Sequence, residues 1–274
     1  MIAIPALIFR SLTNATEPLQ SPWSYWAAYF LGVAITWGTT SLVSMGLFSE
    51  DWRKATVAGI AASFSNTVLV GISIILSTFG EASAAPLFLL ISVHLPLMMT
   101  VGTVLMEAAG GQRTSKWAAV RRTGAGLLRN PLMIAIVAGA LWRATNLPLP
   151  SFAKSLVDML SQAASPTALF AMGMSVNRYG VLGDARSALV IVGAKLILLP
   201  LVVYALATWV FGLPPLWVGV ATIFASMPTG INAYLFATRY QVGVAATSSA
   251  IGLSTAGSAL TCTLWIAMAK AVSH

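Results

Sequence analysis

The sequence predicts an all-α protein with several membrane-spanning helices, and three observations carry this prediction. Only 8% of the 274 residues are charged, against about 25% in a typical soluble domain. Hydrophobic residues make up 58% of the chain, and long uncharged stretches separate the charged ones. A spanning helix needs about 20 such residues, and helices satisfy their own backbone inside lipid. A soluble domain and a disordered chain are therefore excluded.

About nine helices are expected in chain order. The first is short and covers 1–14. The others cover 24–47, 56–78, 84–106, 131–147, 152–176, 187–211, 215–238 and 243–270. Each of these stretches except the first is close to the length that crosses a hydrocarbon core. A glycine and two prolines around position 213 supply the turn that separates the seventh helix from the eighth.

A basic stretch at 110–129 divides the chain into two hydrophobic blocks, 1–109 and 130–274. If this stretch is a cytoplasmic loop, ten of the 15 lysines and arginines lie on its side of the membrane and four on the other side. That asymmetry fits the positive-inside rule and places the C-terminus outside. Because the bases flank apolar spans, the net charge of +8 indicates loops at a lipid bilayer, and no nucleic acid partner is expected.

The second block repeats features of the first with opposite topology. The Pro5–Phe9 stretch recurs at Pro166–Phe170, and Ala62-Ser63 recurs as Ala225-Ser226, at nearly the same offset. Inverted repeats are a common plan of secondary transporters, with the binding site where the repeats meet. The alternative is a chance match between apolar helices. The repeat also predicts a partner for helix 131–147 ahead of Met1, so we expect a ten-helix plan of five plus five that lacks its first helix.

Two apolar helices carry clusters of polar residues at equivalent places in the two blocks. The candidate binding residues are Ser65, Asn66, Thr67, Pro228, Thr229, Gly230 and Asn232. Asparagine is costly in lipid, so these segments should face the bundle interior. Gly71, Pro228 and Gly230 can interrupt the helical hydrogen bonds, and the N–H groups freed at a half-helix N-terminus favour a carboxylate. The alternative is that these side chains only join helices.

Lys195 stands alone in the middle of an apolar helix. It could attract an anion or relay a proton, or its side chain could extend to the cytoplasmic face. His94 is expected to be a packed polar residue, with a proton relay as the alternative. Asp158 is expected to be a solvated group near the outer end of its helix, with a coupling acid as the alternative. The small and hydroxyl residues of the last helix predict a packing face, with a water-lined path as the alternative.

These segments resemble the auxin efflux carrier family, including its bacterial organic-acid branch. The stretch 66–72 is similar to the Asn-Thr-Leu-Val-Met-Gly-Ile-Pro segment of the plant PIN-type carriers, and 228–237 resembles the bacterial form of the second-half segment. Asn130-Pro131 and Pro5–Arg10 also resemble family landmarks. Ser73 and Ala233 stand where the plant carriers have proline.

The resemblance implies two inverted five-helix repeats whose fourth and ninth helices are broken and cross, with an organic-anion site between them. By position, Asn66 and the 228–232 segment would line that crossing. It also implies a scaffold and a moving transport domain in a bacterial inner membrane, and a possible homodimer.

The sequence therefore predicts a secondary transporter of a small organic anion, a mono- or dicarboxylate such as malonate, that works by alternating access and uses no cofactor or metal. The alternatives are a cation- or proton-coupled symporter of another solute class, or a non-transporting membrane protein. An enzyme is not expected, because the chain has no paired mid-membrane carboxylates and no metal-ligand cluster.

Overall fold

A computed structural model describes residues 3–13, 22–48, 51–110, 131–145, 147–163 and 184–273. These residues form helices and the connections between them, so the predicted all-α class is confirmed. The basic loop at 111–129 and the second part of the helix predicted at 152–176 lie outside the described residues.

In the first block the helices are α1 Ala3–Thr13, α2 Pro22–Phe48, α3 Trp52–Ser63, α4 Ile72–Phe79 and α5 Ala84–Gly110. In the second block they are α6 Pro131–Ala144, α7 Ser151–Gln162, α8 Ala185–Gly193, α9 Leu199–Ala205, α10 Pro215–Ser226, α11 Ile231–Tyr240 and α12 Val244–Ser273. Three π-helical turns join or extend them, at Thr67–Gly71, Ala194–Leu198 and Leu206–Val210.

Four described helices are long and apolar enough to cross a bilayer: Pro22–Phe48, Glu81–Glu107, Ala185–Val210 and Val244–Ala271. Leucines such as Leu42 and Leu264 are exposed on them, as expected of surfaces that face lipid. The span α3–α4 and the span α10–α11 are each interrupted, so neither half alone is long enough to cross. Where the structure describes both ends of a predicted helix, the observed bounds agree with the predicted ones to within a few residues, whereas the far end of the helix predicted at 152–176 lies outside the described residues.

The helices form two groups. α1 packs against α6 and α7, and this group meets the rest of the bundle mainly through α5. At one end of the group the Arg10 guanidinium lies 2.9 Å from a Glu81 carboxylate oxygen and 2.6 Å from one of Asp158. Asp158, predicted to be a solvated interfacial group, is thus a partly exposed ion-pair partner.

The second group surrounds the two broken spans with α2, α5, α8–α9 and α12. α2 and α3 approach closely at Gly59, where an added methyl group would collide with the Trp37 ring and the Ser41 hydroxyl. The Ser41 hydroxyl donates to the Ala55 carbonyl at 2.8 Å. Small residues at this contact let the two backbones come together, as in other membrane helix pairs.

Candidate functional site: the crossing of two broken helices

The second-half span breaks at a proline. Pro228 disfavours helical dihedrals at the residue before it, and Met227 accordingly has φ −60° and ψ 148°. α10 therefore ends at Ser226, and α11 begins after Gly230, which is also extended at φ −79° and ψ 147°. The predicted role of Pro228 and Gly230 in interrupting this helix is confirmed.

The first-half span breaks earlier than the sequence indicated. α3 ends at Ser63, Phe64 is extended with φ −86° and ψ 108°, and the π turn begins at Thr67. Gly71, which was expected to loosen this helix, has helical dihedrals of −62° and −42°. No proline lies at this break, and its position is explained by the pairing of its backbone with the other broken span.

The two extended segments cross as a short antiparallel pair in which Ser65 and Thr229 face each other. The Asn66 N–H donates to the Pro228 carbonyl at 2.8 Å, and the Gly230 N–H donates to the Phe64 carbonyl at 2.8 Å. These bonds satisfy backbone groups that the helix breaks leave without intrahelical partners, as a dry interior requires. The C-terminal ends of α3 and α10 and the N-terminal ends of the two following helical segments therefore meet in one place.

Gly230 permits this close approach. A methyl group at this position would lie 2.9 Å from Cδ1 of Phe64 and 3.1 Å from the Ser65 carbonyl oxygen. Both distances are shorter than ordinary van der Waals contact, so any larger residue would push the segments apart. The glycine thus serves the crossing through its small size.

Several of the predicted binding residues have their polar groups committed to holding the crossing together. The Thr229 hydroxyl donates to the Ala61 carbonyl at 3.1 Å, and the Thr229 N–H donates to the Ser254 hydroxyl at 3.0 Å. The Ser65 hydroxyl accepts a hydrogen bond from Lys195. Ser65, Thr67 and Thr229 are all buried. The sequence placed Ser254 on a packing face and gave no signal of its specific contact with Thr229.

Asn66 and Asn232 are placed differently. Both are half-buried, Asn66 immediately before the π turn and Asn232 in the first turn of α11. Among the described residues, neither side-chain amide forms a hydrogen bond. The structure therefore brings two amides, neither with a partner in the part of the chain that is described, to the starts of the two second half-helices.

Lys195 is fully buried beside the crossing. Its Nζ donates to Ser65 Oγ at 2.8 Å and to the Ala225 carbonyl oxygen at 2.5 Å. The alternative in which this side chain extends to the cytoplasmic face is therefore wrong. Lys195 instead links the first broken span to the end of α10.

His94 packs against Ser65 as well. Its Nε2 accepts from the Ser65 N–H at 3.4 Å, and its Nδ1 lies 3.3 Å from the Tyr29 hydroxyl. The rings of Phe64 and Phe224 pack edge-on against it at centroid distances of 4.8 and 5.4 Å. His94 is thus the packed polar residue that the sequence predicts.

A cavity of about 430 Å³ lies between the first broken span, the second break and α12. Pro228 lines it, whereas Asn66 and Asn232 are not among its lining residues. Hydroxyl-bearing residues and the single cysteine also line it: Ser77, Thr78, Thr255, Ser258, Thr263 and Cys262. One face of α12 therefore packs on the bundle, as predicted, while this part of it borders open space.

No candidate metal site is present among the described residues, where no three histidine, cysteine or carboxylate side chains cluster. The five described acids are Asp51, Glu81, Glu107, Asp158 and Asp184. Glu81 and Asp158 pair with Arg10, and Asp51 and Asp184 cap the starts of α3 and α8. None of these four therefore supplies a carboxylate to the crossing.

Comparison with known proteins supports a transport role for this architecture. A family model described as "Membrane transport protein" matches residues 1–266. The chain is 29% identical over 272 residues to a Rhizobium meliloti protein named "Putative malonate transporter", an alignment that covers 96% of this chain and 82% of the relative. It is 23% identical to an "Uncharacterized transporter" of Methanothermobacter thermautotrophicus, over 96% of this chain and 84% of that protein. The chain therefore belongs to the membrane transport protein family, which is the auxin efflux carrier family that its motifs resemble.

Proposed function

We propose that this protein carries a small organic anion across the membrane by alternating access, with the anion bound beside the crossing. The observation that carries the proposal is the pair of half-buried amides of Asn66 and Asn232 at the starts of the two second half-helices. The N-terminal end of a helix has a partial positive charge and unpaired N–H groups. Two such ends with two amide donors favour an anion without placing a fixed charge in contact with it.

The substrate class follows from size and from the relative. A cavity of about 430 Å³ beside Pro228 falls within the range of small-molecule sites. The relative from Rhizobium meliloti has malonate in its name. We therefore place mono- and dicarboxylates of malonate size first among the substrates.

We further propose that blocks 1–109 and 130–274 are inverted repeats, with loop 110–129 in the cytoplasm of a bacterial cell and the C-terminus outside. The antiparallel pairing of Ser65 with Thr229 supports this, since each lies at the break of an equivalent span. The separate packing of α1, α6 and α7 supports a scaffold against which the crossing moves. A homodimer remains a prediction from the family resemblance.

Ligand-dependent stabilisation tests the anion site in detergent. Malonate, malate, succinate, lactate and neutral malonamide would be titrated while the unfolding midpoint is followed. A ligand at 100 times its Kd adds about 2.7 kcal/mol to the stability. We expect stabilisation by at least one carboxylate and none by malonamide. The proposal would be contradicted if malonamide stabilised the protein as much as the acids do, or if none of the acids stabilised it.

Substitution of the amides assigns the site. Asn66→Ala and Asn232→Ala should each weaken anion binding about tenfold or more, because each removes a hydrogen bond to a charged group. Thr39→Ala, on the exposed side of α2, is the control and should bind like the natural protein. Unchanged affinity in both asparagine variants would place the anion elsewhere.

Cys262 offers an independent reporter, since it is the only cysteine of the chain and lines the cavity. A bound anion should slow its reaction with a small thiol reagent in the natural protein, and much less so in Asn66→Ala. If the anion protects Cys262 equally in both proteins, binding in the cavity does not depend on Asn66 and the cavity is not part of the proposed site.

A further inference from the structure

Lys195 has an environment that the proposed anion site does not explain. Its side chain is fully buried, and among the described residues it forms no salt bridge. Burying a lysine in the membrane interior is costly. The two contacts of its Nζ are both to oxygen acceptors, one from each broken span.

Those two oxygens are of the type that bind a mobile cation in other carriers. In secondary transporters, unwound backbone and the C-terminal ends of half-helices coordinate the coupling Na⁺ or proton. The Ala225 carbonyl belongs to the last turn of α10, the negative end of its dipole, and Ser65 lies in the unwound segment of the first span. The Lys195 amino group lies where such a cation would bind, and its N–H groups donate to both of these oxygens.

The local backbone holds the lysine there. Lys195 lies in the π turn Ala194–Leu198, and single π turns within helices are frequent at functional sites. Pro200 has no N–H to offer the Leu196 carbonyl. That carbonyl instead accepts from the Trp265 indole of α12 at 2.9 Å. The turn is thus tied to α12 one residue away from the lysine.

We propose that the Lys195 amino group is a tethered substitute for a mobile cation at the crossing, and that it positions the anion site without Na⁺ or K⁺. By linking Ser65 to Ala225, it fixes the two breaks relative to each other and so fixes the half-helix ends that carry Asn66 and Asn232. Lys195 is a positioning residue, because its buried side chain acts through these segments. The role in transport rests on the proposed function, whereas the substitution for a cation is testable without a substrate.

The first experiment uses the natural protein at one fixed pH. Its unfolding midpoint in detergent and its organic-acid uptake in proteoliposomes are compared in Na⁺, K⁺ and N-methyl-D-glucamine salts. The proposal predicts that uptake stays within about twofold among the three salts and that the unfolding midpoint is nearly the same in each, since no mobile ion is required. A specific stabilisation by Na⁺ or K⁺, or a tenfold fall in uptake without them, would overturn it.

The second experiment removes the tether and supplies a free amine. Lys195→Ala deletes three methylene groups and the amino group, and ethylammonium is one carbon shorter, so it fits without meeting the alanine Cβ. We expect the variant to unfold at lower temperature and its half-saturation concentration for the acid to rise about tenfold, because hydrogen bonds from a charged donor are lost. Ethylammonium should reverse both changes, whereas N-methyl-D-glucamine should not.

Two further variants complete the design. Lys195→Met keeps the apolar stem and has no amine, so ethylammonium should not rescue it. Lys154→Ala, at an exposed position of α7, is the matched control and should behave like the natural protein in every salt. A folded Lys195→Ala that ethylammonium leaves unchanged would overturn the proposal, as would a Lys195→Met with natural stability and uptake. If Lys195→Ala does not fold, loss of uptake by folded Lys195→Met supports the proposal.

The stability measurements separate this proposal from the proposed function. If the natural protein moves none of the acids, the proposed function fails, while rescue of Lys195→Ala stability by ethylammonium still supports the tethered amine. If the acids are transported but Na⁺ or K⁺ is required, the proposed function stands and the tethered amine fails.

Discussion

Gly230→Ala is expected to damage the crossing more than its size suggests. The added methyl group would lie 2.9 Å from Phe64 Cδ1 and 3.1 Å from the Ser65 carbonyl oxygen. The aromatic ring can move by a few tenths of an ångström, but the backbone oxygen can move only if the two segments separate. Separation would stretch the two 2.8 Å hydrogen bonds between them, Asn66 N–H to Pro228 and Gly230 N–H to Phe64.

The expected loss of stability follows from these contacts. Overpacking of a filled site costs about 1–3 kcal/mol, and weakening two buried hydrogen bonds adds about 0.5–1.5 kcal/mol for each. The sum is about 2–6 kcal/mol. The matched control is Gly38→Ala in α2, where no neighbour lies within 4 Å of an added methyl group. There alanine should stabilise the helix by about 0.5–1 kcal/mol.

Reversible unfolding in mixed detergent micelles measures both variants on one scale, and anion uptake is measured in parallel. Gly230→Ala should be destabilised and largely inactive, whereas Gly38→Ala should be slightly more stable and fully active. A Gly230→Ala protein with natural stability and natural uptake would refute the close backbone crossing. Equal destabilisation of both variants would show that the loss has nothing to do with the crossing.

Three further substitutions have expected outcomes. Thr229→Val removes the hydroxyl donor and leaves the Ala61 carbonyl without it, which should cost about 1–3 kcal/mol of unfolding free energy in the same micelle assay; no change would argue against that bond. Gly59→Ala places a methyl group against the Trp37 ring, and thermal unfolding should register a loss of about 1–3 kcal/mol from overpacking; an increase in stability would mean that α2 and α3 are farther apart. Arg10→Gln breaks two partly exposed ion pairs, so the unfolding free energy should change by less than about 1 kcal/mol for each pair; a much larger loss would mean that this contact holds the two helix groups together.

The second break could be predicted from the sequence because its cause is local. Pro228 restricts Met227 and cannot donate a backbone hydrogen bond, so α10 must end near Ser226 wherever this segment packs. The polar cluster around Asn66 likewise marked the first broken span, since asparagine in lipid needs a partner or a function. These signals act within a few residues along the chain.

The first break could not be placed from the sequence because its cause is tertiary. The residues from Phe64 to Asn66 include no proline or glycine, and their extended conformation is stabilised by hydrogen bonds to a segment more than 160 positions away. Gly71 was the residue that local propensity indicated, and it remains helical. The position of a break that has no local breaker depends on which backbone is available to pair with it.

Lys195 illustrates the same limit. Its isolation within an apolar helix indicated a function, but the sequence left attraction of an anion, proton relay and extension to the surface as alternatives. The structure excludes extension of the Lys195 side chain to the surface, because Nζ donates hydrogen bonds to Ser65 and to the Ala225 carbonyl. Both partners come from distant segments, and so no spacing rule could identify them.

Flux of an organic acid through the purified protein is the most direct test of anion transport. Proteoliposomes that contain the natural protein, the Asn66→Ala variant or no protein would be given radiolabelled malonate and then unlabelled competitor acids at one fixed pH. We expect saturable uptake by the natural protein, with competition by other small carboxylates and not by malonamide. We expect the half-saturation concentration to be about tenfold higher in Asn66→Ala. Uptake of no carboxylate above the protein-free vesicles, by a protein that unfolds cooperatively in detergent, would contradict it.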